Sequence, residues 1–326
     1  MPRVRHAAGY LICCLAGAIA QSPDPAPNFR ADTKVIQVPV SVTDQRGQSV
    51  ERLTVGDFQL LDNGIPRQIA LDVFDGGAAP ISLAIAIQTA GISTPAIAKI
   101  RRIGGMIQPL VIGRRGEAAV VAFESQIRWL QDFTSESAPI QSAIDGLQPA
   151  PGTEARMFDA IARISDRLRD RKGRRVLLLI SEARDRGSEA SFQQIMEEIG
   201  RHNIEVFAAH YSPYASNLIV SAGSQPASPA GLGFLTLFNE LTRMGQVNAA
   251  QALTEATGGA DYPFLRQRGI EKAIEKLGVE VHSQYILSFP QRAESAPADS
   301  GMHRIDVSLP LRGNVRIRAR RAFWPD

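Results

Sequence analysis

Cysteine is nearly absent from this chain of 326 residues: Cys13 and Cys14 are the whole complement, and both lie in an apolar run at the N-terminus. Whatever folds after that run has no thiol and no disulfide, so its stability rests on its core. Long apolar runs are missing too. None of the ~20 residues that a membrane-spanning helix needs follows residue 20. Net charge is small, +3 for the whole chain and +1 once Arg3 and Arg5 are set aside, which leaves no global argument for nucleic acid. The common catalytic signatures are lacking as well: there is no G-x-S-x-G elbow, no P-loop, and no G-x-G-x-x-G after the first buried strand. His202 and His210 flank a strand without ligand spacing to other His or Cys residues, and read as surface or capping histidines.

What is present begins with a basic start at Arg3, Arg5 and His6, an apolar stretch from Ala7 to Ala20, and a small-x-small site at Ala18-Ile19-Ala20. This is the pattern of a secretory signal peptide over residues 1–20, cleaved before Gln21, and it predicts a soluble chain that is secreted or periplasmic. Residues 21–29 form a Pro-rich linker, SPDPAPN at its centre.

From residue 30 the pattern is β. The run TKVIQVPVSVTD predicts a strand, with Pro39 pointing to a sheet edge because it has no N–H for a ladder. Asn63-Gly64 between FQLLD and IPRQIALDVF predicts a tight hairpin. After Gly76-Gly77 the chain alternates between strands and helices. ISLAIAI at 81–87 suits a strand covered on both faces, followed by a short loop, QTAGIS, and a helix from Pro95 to Leu110. Strands are expected at 117–123, 127–132, 176–181 and 204–209, and helices at 137–147, 155–169, 188–202, 232–244, 247–257 and 267–277. The fold class is therefore α/β: a Rossmann-like open, mainly parallel sheet with helices on both faces, over residues 78–290. Residues 30–77 and 302–326 are too strand-rich and too short to stand alone, and together predict a small β-sandwich-like domain. The excursion from Tyr211 to Gln246 should be mobile, emerging on the rim where the first strand ends, with Leu232, Leu235, Phe238 and Leu241 on one helix face.

Three stretches carry a resemblance: VTDQRGQSVERLTVGDFQLLDNGIPRQI, then PGTEARMFDAIARI with VLLLISEARDRGS, then QYILSFP with MHRIDVSLPLRGNVRIRARRAFW. The region from about 80 to 290 resembles a von Willebrand factor A (VWFA) domain, and the flanks resemble those of exported VWFA-related proteins of acidobacterial type. The resemblance implies a cation site at the top of the sheet, built from a D-x-S-x-S loop, a Thr from a second loop and an Asp after the central strand. Here that motif is degenerate: Gln88 stands for the Asp, Ala90 and Ile92 for the serines, and Glu182 for the second Asp, while Thr153 alone matches. Mg²⁺ demands several hard oxygen ligands in octahedral array. No metal or other cofactor is therefore expected, the alternative being a weak Mg²⁺ site from a shifted set of Gln88, Ser93, Thr153 and Glu182. The implied function is adhesion or protein interaction, with Gln88, Ser93, Thr153, Glu182 and Asp185 as the partner-binding rim.

Other readings rest on particular residues. A hydrolase or other enzyme at the strand ends would have Glu182 and Asp185 for acid–base work, although nothing pairs them with a cleft. Asp159, early in its helix, reads as a dipole partner. Arg312, Arg316, Arg318, Arg320 and Arg321 make the last strand basic. They predict a solvated face that discourages edge pairing, or else a stripe for a polyanion or cell-envelope polymer.

Overall fold

The computed structural model describes residues 35–72, 79–91, 94–211, 234–264, 269–291 and 301–325. The expected signal peptide, the Pro-rich linker and residues 212–233 of the expected excursion lie outside the described residues; residues 234–246 of the excursion are helical, with Leu241 buried in the core. Among those described, no helix is long and apolar enough to cross a membrane.

In chain order the first strands are β1 (Val35–Thr43), β2 (Gln59–Asp62), β3 (Ile65–Pro66), β4 (Ala70–Leu71) and β5 (Ile81–Gln88). Then come α1 (Thr94–Ile100), α2 (Gly104–Ile107), β6 (Glu117–Phe123), β7 (Ile127–Thr134), α3 (Ser137–Asp145), α4 (Met157–Leu168), β8 (Arg174–Ser181), α5 (Phe192–Arg201) and β9 (Ile204–Tyr211). The last are α6 (Phe234–Val247), α7 (Ala249–Thr257), β10 (Asp261–Phe264), α8 (Gly269–Ser283), β11 (Tyr285–Pro290), β12 (His303–Ser308), β13 (Arg316–Ala319) and β14 (Ala322–Phe323).

A six-stranded sheet in the order β10-β9-β8-β5-β6-β7 forms the centre, parallel except for the antiparallel edge strand β7. All eight residues of β5 are buried, because both faces are covered. Leu83, Ile85 and Ile87 pack with Ile97, Ile103, Ile144 and Ile274 on one side. Ala84 and Ala86 face Met157, Ile161, Ile195 and Leu253 on the other. Alternation along the strand thus sends large side chains to one helix layer and small ones to the other, so the helices on the alanine side approach closely.

The helix expected over 95–110 is segmented. α1 gives way to a 3₁₀ turn at Arg101–Ile103, and α2 to a π turn at Gln108–Ile112. Gly104 lies against the backbone of α3, where a Cβ would come within 3.1 Å of Gln141 Cα, and Pro109 removes a helical N–H. β10 is absent from the sequence reading, since a four-residue strand containing Pro263 shows no periodicity. It is placed by Gly259, which passes so close to β9 that a Cβ would sit 2.0 Å from the Val206 carbonyl oxygen.

Two antiparallel sheets, β13-β1-β11-β4 and β14-β12-β2-β3, enclose a second core of Ile36, Val38, Val40, Leu60, Leu287, Phe289, Ile305 and Phe323. Asn63 (φ 50°) and Gly64 (φ 80°) make the tight turn from β2 to β3. Strands from both ends of the chain pair here: β1 with β13, and β2 with β12. Three details differ from the sequence reading. β1 is an interior strand despite Pro39, because the Pro39 carbonyl accepts from Arg320 N on the β13 side, where the ladder has already ended at Ala319. β11, read within the α/β stretch 78–290, pairs with β1 and β4 instead, since an apolar strand pattern does not specify its partner. The basic last strand of the sequence is two strands in different sheets, parted at Arg320 and Arg321.

That break corrects the reading of the C-terminal arginines. Arg320 is 1% exposed, and its Nη2 donates to the Ile204 carbonyl at 3.2 Å. Burial pushes its guanidinium down to about 10, opposed by the nearby Glu205 carboxylate, so it stays charged at neutral pH. Arg318 pairs with Glu280 and donates to the Gly258 carbonyl at 3.3 Å, and Arg321 lies between Glu240 and Glu255. Arg312 is held by Asp57 at 3.5 Å. Of Arg316, Arg318 and Arg320, which alternate along the strand, only Arg316 remains exposed, so they form neither a solvated face nor a polyanion stripe. Arg318 and Arg320 belong instead to a polar layer between the sandwich and the strand starts of the α/β unit. Its centre is the buried pair Arg174–Glu205 at 2.7 Å, with Gln284 Nε2 donating to Glu205 at 2.6 Å.

Candidate functional site

The sandwich covers the strand starts near Arg174 and Glu205, so the opposite rim, at the carboxyl ends of β5 and β8, is left for a site. Gln88 is the last residue of β5 and is wholly buried. Its amide joins two loops: Nε2 donates to the Ala90 carbonyl at 2.8 Å, and Oε1 accepts from Glu182 N at 3.0 Å. Ala90 forms a parallel bridge with Ala150, and Ala150 N donates to the Thr89 carbonyl. Ala155 and Arg186 exchange two backbone hydrogen bonds of 2.9 Å. Three loops are thereby knitted into one rim.

The side chains on that rim are partnered unevenly. Glu182 pairs with Arg186, four residues on, and both are partly exposed. Thr153 is exposed on the loop 151–154. Asp185 is structural, which corrects its assignment to the partner-binding set: Oδ1 accepts from Phe158 N at 3.0 Å and from Ser188 Oγ at 2.6 Å. It holds the first turn of α4, where a carboxylate satisfies an orphan N–H and complements the helix dipole. Asp159 does the reverse, accepting from Glu189 N at 3.0 Å and Ala190 N at 2.9 Å, so helix start and loop clasp each other. With Glu182 in an ion pair and Asp185 bound to backbone, the two do not form a free acid–base couple. Ile92 and Ser93 lie outside the described residues.

Arg186 is the rim residue that sequence reasoning missed, because the cation-site pattern counts oxygens and ignores cations. Its signal was its position four residues after Glu182. A second missed pair is His210 and Asp261, whose Nδ1···Oδ1 contact of 2.7 Å ties the end of β9 to β10. His202, the other histidine at this strand, lies at its start and contacts Ser165 Oγ at 2.9 Å.

The donors present do not fit a divalent cation. Gln88 Oε1 is engaged by Glu182 N, Ala90 contributes no side-chain oxygen, and the Glu182 carboxylate is neutralised by a guanidinium that would repel a metal ion. No group of three or more His, Cys, Asp or Glu side chains poised for a metal occurs among the described residues.

No protein-family model and no curated protein sequence matches the chain. Solved structures that are similar include BatB from Bacteroides thetaiotaomicron, at 13% identity and a TM-score of 0.42, covering 62% of this chain and 98% of that one. Another is proximal thread matrix protein 1 from the mussel byssus with a zinc-occupied MIDAS motif, at 13% identity and a TM-score of 0.44, covering 69% of this chain and 50% of that one. The vWF domain of the type V pili tip protein Mfa5 from Porphyromonas gingivalis matches at 18% identity and a TM-score of 0.29, over 33% and 39% of the two chains. At these values neither a site nor a partner carries over.

Proposed function

We propose that this chain is an exported, non-enzymatic protein-interaction module that binds its partner at the β5–β8 rim without a metal ion. The observation that supports this reading is the Gln88 amide, which spans the place where a cation would need free oxygens and fixes the loops around it. A rim held by hydrogen bonds is rigid before binding, so little ordering entropy is lost on association. The open end of the sheet supplies the surface, and Thr153, Glu182 and Arg186 supply polar contacts.

The test is capture from an envelope fraction by the full mature chain, with and without chelator. Thr153→Arg blocks the rim with an exposed bulky group, and Arg316→Glu alters the exposed far end as a control. Capture that is indifferent to chelator, lost in Thr153→Arg and kept in Arg316→Glu is expected. Chelator-sensitive capture, or capture that Thr153→Arg leaves unchanged, refutes the proposal.

A further inference from the structure

At the end of the sheet opposite the rim, the starts of β5 and β6 border a cavity of about 350 Å³. Two loops, 113–116 and 169–173, supply the rest of its wall. Gly116 leads the first into β6 so close to β5 that a Cβ would sit 2.7 Å from the Ile81 carbonyl oxygen. Gly173 leads the second into β8, where a Cβ would meet the Pro80 carbonyl oxygen at 2.3 Å. Both loops are thus pressed against the start of one strand, which fixes the spacing between them.

The lining carries three cations, Arg115, Arg171 and Lys172, and two carboxylates, Glu117 and Asp170. The carboxylates are already taken. Glu117 accepts from Ser82 Oγ at 2.8 Å and from Arg171 Nη1 at 3.2 Å, and the exposed Asp170 accepts from Arg169 Nε at 3.5 Å. The Arg171 guanidinium lies 4.2 Å from the centroid of the Phe133 ring, so ring and carboxylate together hold it in place. Its backbone is fixed too: Arg171 N donates to the Leu168 carbonyl at 2.9 Å, and its own carbonyl accepts from Arg175 Nε at 3.0 Å. The Lys172 ammonium is exposed and enters no ion pair among the described residues. What the cavity offers a guest is therefore positive charge.

A guanidinium fork beside an ammonium suits a tetrahedral oxyanion, with the planar group taking two oxygens and the point charge a third. The volume is at the lower end for small-ligand sites and exceeds what one oxyanion fills, so an organic group fits with it. We infer that this cavity binds a phosphate monoester, its dianion held by Arg171 and Lys172 from one loop and Arg115 from the other. The inference is independent of the rim reading, since the two sites lie at opposite ends of the sheet.

Glycerol 1-phosphate, inorganic phosphate and acetate are the probes, titrated into the full mature chain at an ionic strength held by sodium chloride. Calorimetry reads affinity, and the amide resonances of 114–117 and 170–173 read location. Glycerol 1-phosphate should bind with a dissociation constant on the order of 1 mM or tighter, and acetate roughly tenfold more weakly. Lys172→Gln removes an exposed charge, and Arg171→Lys keeps the charge but not the fork; each should weaken phosphate binding roughly tenfold with the folded spectrum retained. Arg316→Gln, which removes an exposed cation from the sandwich, should leave binding unchanged. Vesicles containing phosphatidic acid present the same group on a lipid. Flotation with them that Lys172→Gln abolishes assigns the phosphate to a headgroup, while a positive titration without flotation assigns it to a soluble ester; both uphold the site. Phosphate binding no tighter than that of acetate overturns the inference. So does binding unchanged in Lys172→Gln or Arg171→Lys, or lost equally in Arg316→Gln.

Discussion

Glu205→Gln should be among the most damaging conservative substitutions in this protein. Glu205 is 3% exposed, accepts from Arg174 Nη2 at 2.7 Å and Gln284 Nε2 at 2.6 Å, and Arg174 itself is 5% exposed. The same carboxylate acts on Arg318 and Arg320, so the layer between the two units holds three guanidiniums, Arg174, Arg318 and Arg320, against the carboxylates of Glu205 and Glu280. The neutral amide keeps the volume but leaves Arg174 buried without a counter-charge. Removing one partner of a buried pair costs about 3–5 kcal/mol. At ~2–4 °C per kcal/mol for a domain of this size class, the melting temperature should fall by roughly 6–20 °C. Thermal melts followed by circular dichroism, with urea midpoints beside them, measure it. Removing both charges with Arg174→Met and Glu205→Leu should recover only part of the loss, because Arg174 is no longer stranded while Arg320 still lacks the Glu205 carboxylate. A drop below about 1 kcal/mol in Glu205→Gln, or a double variant as unstable as the summed singles, would refute the reasoning.

Restoring the cation motif by Gln88→Asp, Ala90→Ser and Ile92→Ser should not by itself let Mg²⁺ raise the melting temperature; adding Arg186→Ala should, because the resident guanidinium is then gone. Mg²⁺ stabilisation of the triple variant alone, by thermal shift, would contradict the reading of Arg186. Gly200→Ala in α5 places a Cβ 2.2 Å from Trp324 Cε3, and should cost about 1–3 kcal/mol of overpacking in the urea midpoint. Asp72 has its carboxyl raised, first by burial and against the hydrogen bond from Ser288. A folded-state value above the unfolded one favours folding below the unfolded value near 3.8 and loses that contribution as pH rises through the folded value. Asp72→Asn should therefore raise the melting temperature at neutral pH, and the gain should vanish as pH falls toward 3.8; a gain that persists at low pH would argue against burial as the cause.

The sequence by itself determined the elements whose signals are local. Ile81 to Ile87 announced a strand covered on both faces through a run apolar except at Ser82, and Asn63-Gly64 announced a hairpin through its need for positive φ. Gln88, Ala90 and Glu182 showed a rim poor in free oxygens, since ligand chemistry depends on residue type. Tertiary structure decided what depends on distant partners. Arg318 and Arg320 read as a surface stripe because strand alternation gives a face but not what covers it; the α/β unit covers this one. β11 joined the sandwich because β1 and β4 lay beside it, a pairing across more than two hundred residues. Asp185 became a helix clasp once α4 was placed against its loop. Arg186 took its place on the rim only when its backbone paired with Ala155 from another loop, since the neighbours that orient a charge come from other segments.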